Sequence, residues 1–193
     1  SRLFMEKCEP VPSPCFDEAR LYDPKSNKSE FHLREAIGCL SWAATVCRID
    51  ISHPVNVLSR VASREPTKSM AKCAKIIIAY LIHNPTVGLY YSPQNEASFN
   101  KTYAELSGEA TKHWNLFSDA SFASCFITMK SISGSICYYR AFPIIWKGQR
   151  QTIITRSTFE SEYVAADDTL VVEESLDFKG FFGESTEDNL WLD

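Results

Sequence analysis

No run of about eighteen apolar residues occurs in the 193-residue chain, so no membrane-spanning helix is expected. The opening Ser1-Arg2-Leu3-Phe4-Met5 has neither a hydrophobic signal core nor an initiator methionine. A fragment or processed piece residing in the cytosol is therefore expected. Seven cysteines stand at 8, 15, 39, 47, 73, 125 and 137, without one Cys-x-x-Cys pair and without a histidine at zinc-ligand spacing. An odd number of cysteines lacking a secretory signal predicts free, mostly buried thiols. His32, His53, His83 and His113 follow no ligand spacing and read as cap, turn or surface residues. A global excess of positive charge is also missing, since 20 Lys and Arg face 24 Asp and Glu for a net charge of −4. That excludes a basic coat over the whole surface and leaves local basic patches open. No internal repeat or low-complexity tract is present.

What the chain has is enough apolar material for a core. It is 45% hydrophobic and 12% aromatic, which suits one domain or two small ones. With 23% charged residues, wholesale disorder is not expected. Residues 1–28, rich in Pro, Ser, Lys and Asp, read as an extended lead-in. A helical period then places Leu33, Ile37, Leu40, Ala44 and Cys47 on one face. A second helix follows Ser52, with Pro54 tolerated in its first turn and Val55, Leu58 and Ala62 as its stripe. A third follows the N-cap Thr67, buries Met70, Ala74, Ile77 and Leu81, and stops at Asn84-Pro85.

Beyond Pro85 the pattern changes. Gly88 to Tyr91 reads as a short strand, and residues 93–112 as a polar linker. From 113 onward the order is strand, strand, strand, helix, strand. The strands are expected over 114–119, about 134–146, about 151–156 and 189–193, with a helix in 157–182. Adjacent strands followed by a helix and a returning strand predict an α/β layer.

Three carboxylates sit where such a layer would bring acids together. Asp119 ends the first strand, Glu162 lies in the second turn of the helix, and Asp193 ends the last strand. Oxygen donors of this kind suit a hard divalent cation, and a pair of such ions clamps the attacking and leaving oxygens of a phosphodiester. Acids at strand ends are also ordinary solvated termini, and spacing alone does not separate the two readings. Within the helix, Ser157-x-x-Glu160 matches a capping box, giving Glu160 a structural role. Phe159, Tyr163, Ala166 and Leu170 are expected to form the buried stripe, with Glu160 and Glu162 flanking it. Glu162 is then the freer carboxylate, and Asp167 and Asp168 are expected to be solvated. Trp146 and Tyr138 read as core.

Two long stretches carry a resemblance. "RIDISHPVNVLSRVASREPTKSMAKCAKIIIAYLIHNPTVGLYY" resembles the segment after the polymerase palm in copia-type retrotransposon reverse transcriptases. "LFSDASFASCFITMKSISGSICYYRAFPIIWKGQRQTIITRSTFESEYVAA" resembles the ribonuclease H domain that follows it in the same Pol polyproteins. The matches run in the family's order over roughly residues 33–193. The pieces "SDAS", "KSISG", "IIWKGQRQ", "RSTFESEYVAA" and "LWLD" are together far more specific than any one alone.

The resemblance implies an α/β fold: a ribonuclease H-like mixed sheet with a helix, truncated, after a small helical thumb or connection subdomain. The corresponding divisions are a lead-in at 1–28, the helical region at 29–92, a linker at 93–112 and the ribonuclease H-like domain at 113–193. It implies Mg²⁺-dependent cleavage, with Mn²⁺ as a substitute, of the RNA strand in an RNA–DNA hybrid. Asp119, Glu162 and Asp193 match three of the family's four metal-binding acids, and the glutamate directly before the "YVAA"-type continuation is the catalytic one. The fourth acid would lie beyond residue 193 and the polymerase palm upstream of residue 1, so the chain by itself is expected to be impaired. The family usually has a tryptophan and more acids after the first aspartate, where this chain has Phe122, Ala123, Ser124 and Cys125. Expected partners are an RNA–DNA hybrid or template–primer duplex and the rest of the polyprotein. No membrane partner is expected. Cytoplasmic residence, in a virus-like particle, follows from the same resemblance.

A basic ridge fits that picture. Lys68, Lys72 and Lys75 share one face of the third helix, with Arg60 and Arg64 just upstream, spaced to neutralise phosphates without reading sequence. Lys147, Arg150 and Arg156 are weaker candidates for the same role. The competing expectation is a non-catalytic nucleic-acid-binding or assembly fragment from a decayed or repurposed element.

Overall fold

Apolar residues three and four apart build the first helices as expected. In the computed structural model, which describes residues 9–107, 114–125, 127–175 and 189–192, the chain divides into two units meeting at Leu89 and Tyr90. In the first, helix α1 spans Leu33–Val46, α2 spans Ser52–Ser59 and α3 spans Lys68–His83. Leu33, Ile37, Leu40 and Ala44 of α1, Val55 and Leu58 of α2, and Met70, Ala74 and Ile77 of α3 close one apolar cluster. Cys47, by contrast, is exposed. Thr67 caps α3 as expected, its Oγ1 accepting from the Met70 amide at 3.3 Å.

The lead-in is more than an extended arm. Its 3-10 helix, Glu18–Tyr22, buries Leu21 in the same cluster. Its last residues supply acceptors for the free amides of a helix start. The Asn27 carbonyl takes the Lys68 amide at 2.9 Å, and Ser26 Oγ takes the Ser69 amide at 2.9 Å. Arg48 and Asp50 close the other end of α3. The Arg48 guanidinium donates twice to the Asp50 carboxylate, at 2.9 and 2.8 Å, and once to the Asn84 carbonyl at 3.0 Å. Burial works to raise the Asp50 carboxyl, but hydrogen bonds from Arg48 and Tyr80 outweigh it and hold the group below its ordinary value.

The second unit carries a sheet of four strands in the order β3-β2-β1-β4, with β1 at Trp114–Ser121, β2 at Ile132–Tyr139, β3 at Phe142–Arg150 and β4 at Asn189–Leu192. β2 runs antiparallel to β1 and β3, whereas β4 runs parallel to β1. Helix α5, Thr158–Ser175, makes the crossover and packs on β1 and β2. This is the α/β layering expected from the order of elements.

Several local expectations are corrected. Gly88 to Tyr91 has no regular structure. Pro93–Ser107 is a helix, α4, not an extended linker. Phe99 and Tyr103 lie one turn apart on it, and both meet Phe117 of β1, at ring-centroid distances of 6.4 and 5.2 Å. The stretch 134–146 is not one strand but a hairpin that turns at Arg140 and Ala141, and 151–156 is a loop. Arg140 takes φ of 50°, the left-handed region where glycine or asparagine usually signals a turn. Of the six described cysteines, all free, only Cys73, Cys125 and Cys137 are buried; Cys15, Cys39 and Cys47 are exposed.

Two outcomes follow from these local strains and pairings. Arg140→Gly should raise stability by about 0.5 kcal/mol by removing a left-handed side-chain penalty, as read by urea denaturation. Arg48→Met should cost about 2 kcal/mol at neutral pH, because it leaves a half-buried carboxylate with Tyr80 but without its guanidinium partner. Asp50 has a depressed folded-state value, so its contribution is present above the ordinary carboxylate range and is lost as pH falls through that depressed value. Melts of the two proteins should therefore converge in acid.

Candidate functional site

Asp119 lies near the C-terminal end of β1, opposite Gly134 in the β1–β2 ladder. Strand alternation puts it on the opposite sheet face from Leu116, Ser118 and Ala120, which are buried, while Asp119 is exposed. The parallel β1–β4 ladder ends at Ser118 and Leu192, one residue short of Asp119. Asp193, the third expected ligand, lies outside the described residues.

Helix α5 presents the opposite of its expected face. Phe159 is 80% and Tyr163 70% exposed, and Leu170 is exposed as well. The residues turned to the sheet are Ser161, Ala165 and Thr169, all buried, with buried Ala166 beside them. They recur every fourth position, so the stripe is helical but small and partly polar. Glu162 flanks this inward stripe, and both it and Glu160 are half-buried. The capping arrangement holds in outline: Ser157 Oγ accepts from the Glu160 amide at 3.1 Å, and Glu160 Oε2 reaches back to the Arg156 amide at 2.6 Å, one residue before the cap. Glu160 is thus engaged in starting the helix, as expected. Glu162 borders the buried face instead of flanking an inward Phe159-Tyr163 stripe.

Asp168 is not simply solvated, because Ser133 Oγ donates to its Oδ2 at 3.3 Å. The helix bearing Glu162 is thereby laid on the strands bearing Asp119. The two carboxylates nevertheless belong to different faces of the sheet. Among the described residues no three His, Cys, Asp or Glu side chains form a metal-holding cluster. Two carboxylates are still chemically sufficient donors for Mg²⁺, which keeps several waters and accepts phosphate oxygens as further ligands.

The expected basic ridge is divided by the structure. Arg60 is withdrawn from it: the guanidinium donates to both Glu18 oxygens, at 3.0 and 3.1 Å, and its side chain is only 9% exposed. Arg64 is exposed and stacks over Tyr22 at 5.0 Å. Lys68, Lys72 and Lys75 are exposed along α3, with Lys75 near the Phe31 ring at 5.9 Å. Lys68 opens the helix, where the macrodipole disfavours a cation, and no acid occupies that first turn. Its placement is unfavourable for the helix itself.

One exposed feature was passed over by the sequence reading. Trp42 on α1 is 69% exposed, and Gly38, one turn earlier, has open space before it. The signal was available, since Trp42 falls off the Leu33-Ile37-Leu40-Ala44 face.

Comparison with known proteins adds a lineage. The chain is 27% identical over 176 residues to a retrovirus-related Pol polyprotein from transposon TNT 1-94 of Nicotiana tabacum, covering 87% of the chain and 12% of that protein. It is 28% identical over 171 residues to the corresponding polyprotein from transposon RE1 of Arabidopsis thaliana, covering 88% of the chain and 10% of the relative. It is also 25% identical over 157 residues to the secreted RxLR effector protein 161 of Plasmopara viticola, covering 81% of the chain and 88% of that protein. The chain thus spans about a tenth of the length of the transposon polyproteins it matches. No protein-family profile matches it, and no solved structure does.

Proposed function

We propose that the chain, similar to segments of retrotransposon Pol polyproteins, is the part of a copia-type polyprotein that joins the reverse transcriptase thumb or connection helices to a ribonuclease H domain. The observation that carries this reading is the topology around Asp119. Three antiparallel strands are followed by a helix crossing to a fourth strand, parallel to β1 and paired with it up to the residue before Asp119. Such an arrangement supports reading the sheet as ribonuclease H-like, with Glu162 on the crossover helix.

The reaction is hydrolysis of the RNA strand of an RNA–DNA hybrid. Bound Mg²⁺ would supply an activated water and neutralise the charge developing on the phosphodiester. Asp119 and Glu162 would hold the cation by hard oxygens, and Asp193 is proposed as a further ligand. α5 fixes the Glu162 backbone on the sheet, so that one carboxylate is set by a strand and the other by a helix. No side-chain nucleophile is needed. Lys68, Lys72 and Lys75 contact phosphates of the duplex, and the 2′-OH and duplex shape distinguish RNA from DNA.

A second reading is favoured by one finding. The Plasmopara viticola protein is matched over 88% of its length, so a protein of about this extent exists outside a polyprotein. Under that reading the chain binds nucleic acid or assembles with partners without cutting.

A labelled RNA–DNA hybrid with Mg²⁺ separates the two. On the first reading, the chain cleaves the RNA strand, and Asp119→Asn or Glu162→Gln each lowers the rate by at least about a hundredfold. Retained hybrid binding with no cleavage by the unmodified chain supports the second reading. Binding itself is tested by its salt dependence. Replacing Lys68, Lys72 and Lys75 together by alanine should flatten the slope of log affinity against log salt by about 2–3. Arg60→Ala, which breaks an ion pair instead of a phosphate contact, should leave that slope unchanged.

A further inference from the structure

The contacts beneath α5 are mostly polar, and one side chain stands at their centre. Gln151 directly follows β3 and is 2% exposed. Its backbone amide donates to the Ser131 carbonyl at 2.9 Å, which ties it to the residue before β2. Its Nε2 donates to the Ser161 carbonyl at 2.9 Å and to Ser133 Oγ at 3.0 Å. A carbonyl only accepts, so the Ser161 contact settles which way the amide points. Ser133 Oγ passes the connection on to Asp168 of α5.

We infer that Gln151 is a positioning residue for the proposed metal site, setting the first turn of α5, and with it Glu162, against the strands that carry Asp119. The inference rests on the reading of Glu162 as a metal ligand. Three features of the geometry support it. First, both contacts lie close to the acids: Ser161 directly precedes Glu162, and Ser133 directly precedes Gly134, the ladder partner of Asp119. Second, the network grips α5 at Ser161 and at Asp168, seven residues or two turns apart on one side of the helix. Two such points determine both the rotation of a helix and its position along its axis. Third, Ser161, Ala165 and Thr169 are too small to interlock with the sheet as large side chains would. Directional hydrogen bonds must then resist sliding. Gln151 touches no proposed substrate or ion and acts only through the helix.

The test uses the full chain and Mn²⁺ alone as probe, with binding followed by the loss of its free-ion spin-resonance signal and folding by circular dichroism. The unmodified chain binds Mn²⁺, and Glu162→Gln abolishes binding. Gln151→Met, close in size but without the amide, should fold and bind about tenfold more weakly, with hybrid cleavage restored by excess metal. Thr169→Val disturbs the same buried layer without touching Ser161 or Ser133, and should leave affinity within about twofold of the unmodified chain. Affinity unchanged in Gln151→Met, or lowered as much in Thr169→Val, overturns the positioning role while leaving the metal reading in place. A chain that binds no Mn²⁺, or a Glu162→Gln variant that binds it normally, overturns the metal reading and the positioning role with it. If Gln151→Met does not fold, Gln151→Glu decides: it keeps the length but sets an acceptor against the Ser161 carbonyl, so unchanged affinity in that variant rejects the role.

Discussion

The second unit depends on satisfying the polar groups buried between α5 and the sheet. Among the described residues, its apolar cluster is small: Leu116 and Cys137, with Tyr139 and Ile145 against them. Around them lie buried Ser118, Ser131, Ser133, Gln151, Thr155, Ser161 and Thr169. A buried hydroxyl or amide without a partner costs about 1–3 kcal/mol, so such a layer is tolerable only where its bonds close. Most of them do: Gln151 to Ser133 and Ser161, Ser131 to Thr155, Ser161 to Thr158, Thr169 to Ala165. Among the described residues, Ser118 Oγ and Gln151 Oε1 have no hydrogen-bond partner. A polar interface gains little from area and much from direction. Position is therefore specified more tightly here than stability.

The first unit rests on the opposite principle. Its core is an apolar cluster drawn from α1, α2, α3 and the lead-in, where burial is nondirectional and the helices are held by packed volume. Polar groups appear at its margins as staples: Arg48 on Asp50 and Asn84, Arg60 on Glu18. The two arginines and the lysines of α3 accordingly have different fates. A planar guanidinium forks onto a carboxylate and is drawn into partly buried pairs, whereas a lysine ammonium stays hydrated at the surface. Among the described residues Lys68 and Lys72 have no ion-pair partner, so their charge is left for an external anion. Counting basic residues in the sequence could not separate Arg60 from Lys72; the partner, Glu18, lies 42 residues away.

The same contrast explains what could be read from the sequence. Where burial tracks hydrophobicity, the helical period of Leu33, Ile37, Leu40 and Ala44 sufficed, and the Thr67 cap and the Asn84-Pro85 stop bounded α3 well. In α5 the rule reverses, because the helix turns serine, alanine and threonine inward and leaves Phe159 and Tyr163 outside. A reading based on apolar residues then picks the wrong face, and its support for Glu162 over Glu160 survives only through the capping argument. Helix α4 was hidden by a polar window in which Phe99 and Tyr103 were the two residues that mattered. The β2–β3 turn was hidden because Arg140 occupies a left-handed conformation that normally announces itself by glycine. The α/β layering followed from the succession of elements.

The parallel pairing of β4 with β1 gives the site its remaining constraint. In a pleated strand, Asp119 faces away from the layer under α5, while Glu162 belongs to the helix covering that layer. Within a continuous sheet, carboxylates on opposite faces are kept apart by the sheet itself. The described β1–β4 ladder pairs Ser118 with Leu192, directly before Asp119. Under the proposed reading, a cation shared by these elements would have to be reached by Asp119 from one face and by Glu162 from the other. That geometry tolerates little rotation of α5, since a turn by one residue moves a side chain through about 100° around the helix. The demand for a directional, hydrogen-bonded seat beneath α5 and the demand for a carboxylate at the end of β1 are then the same demand, met by the same few buried polar side chains.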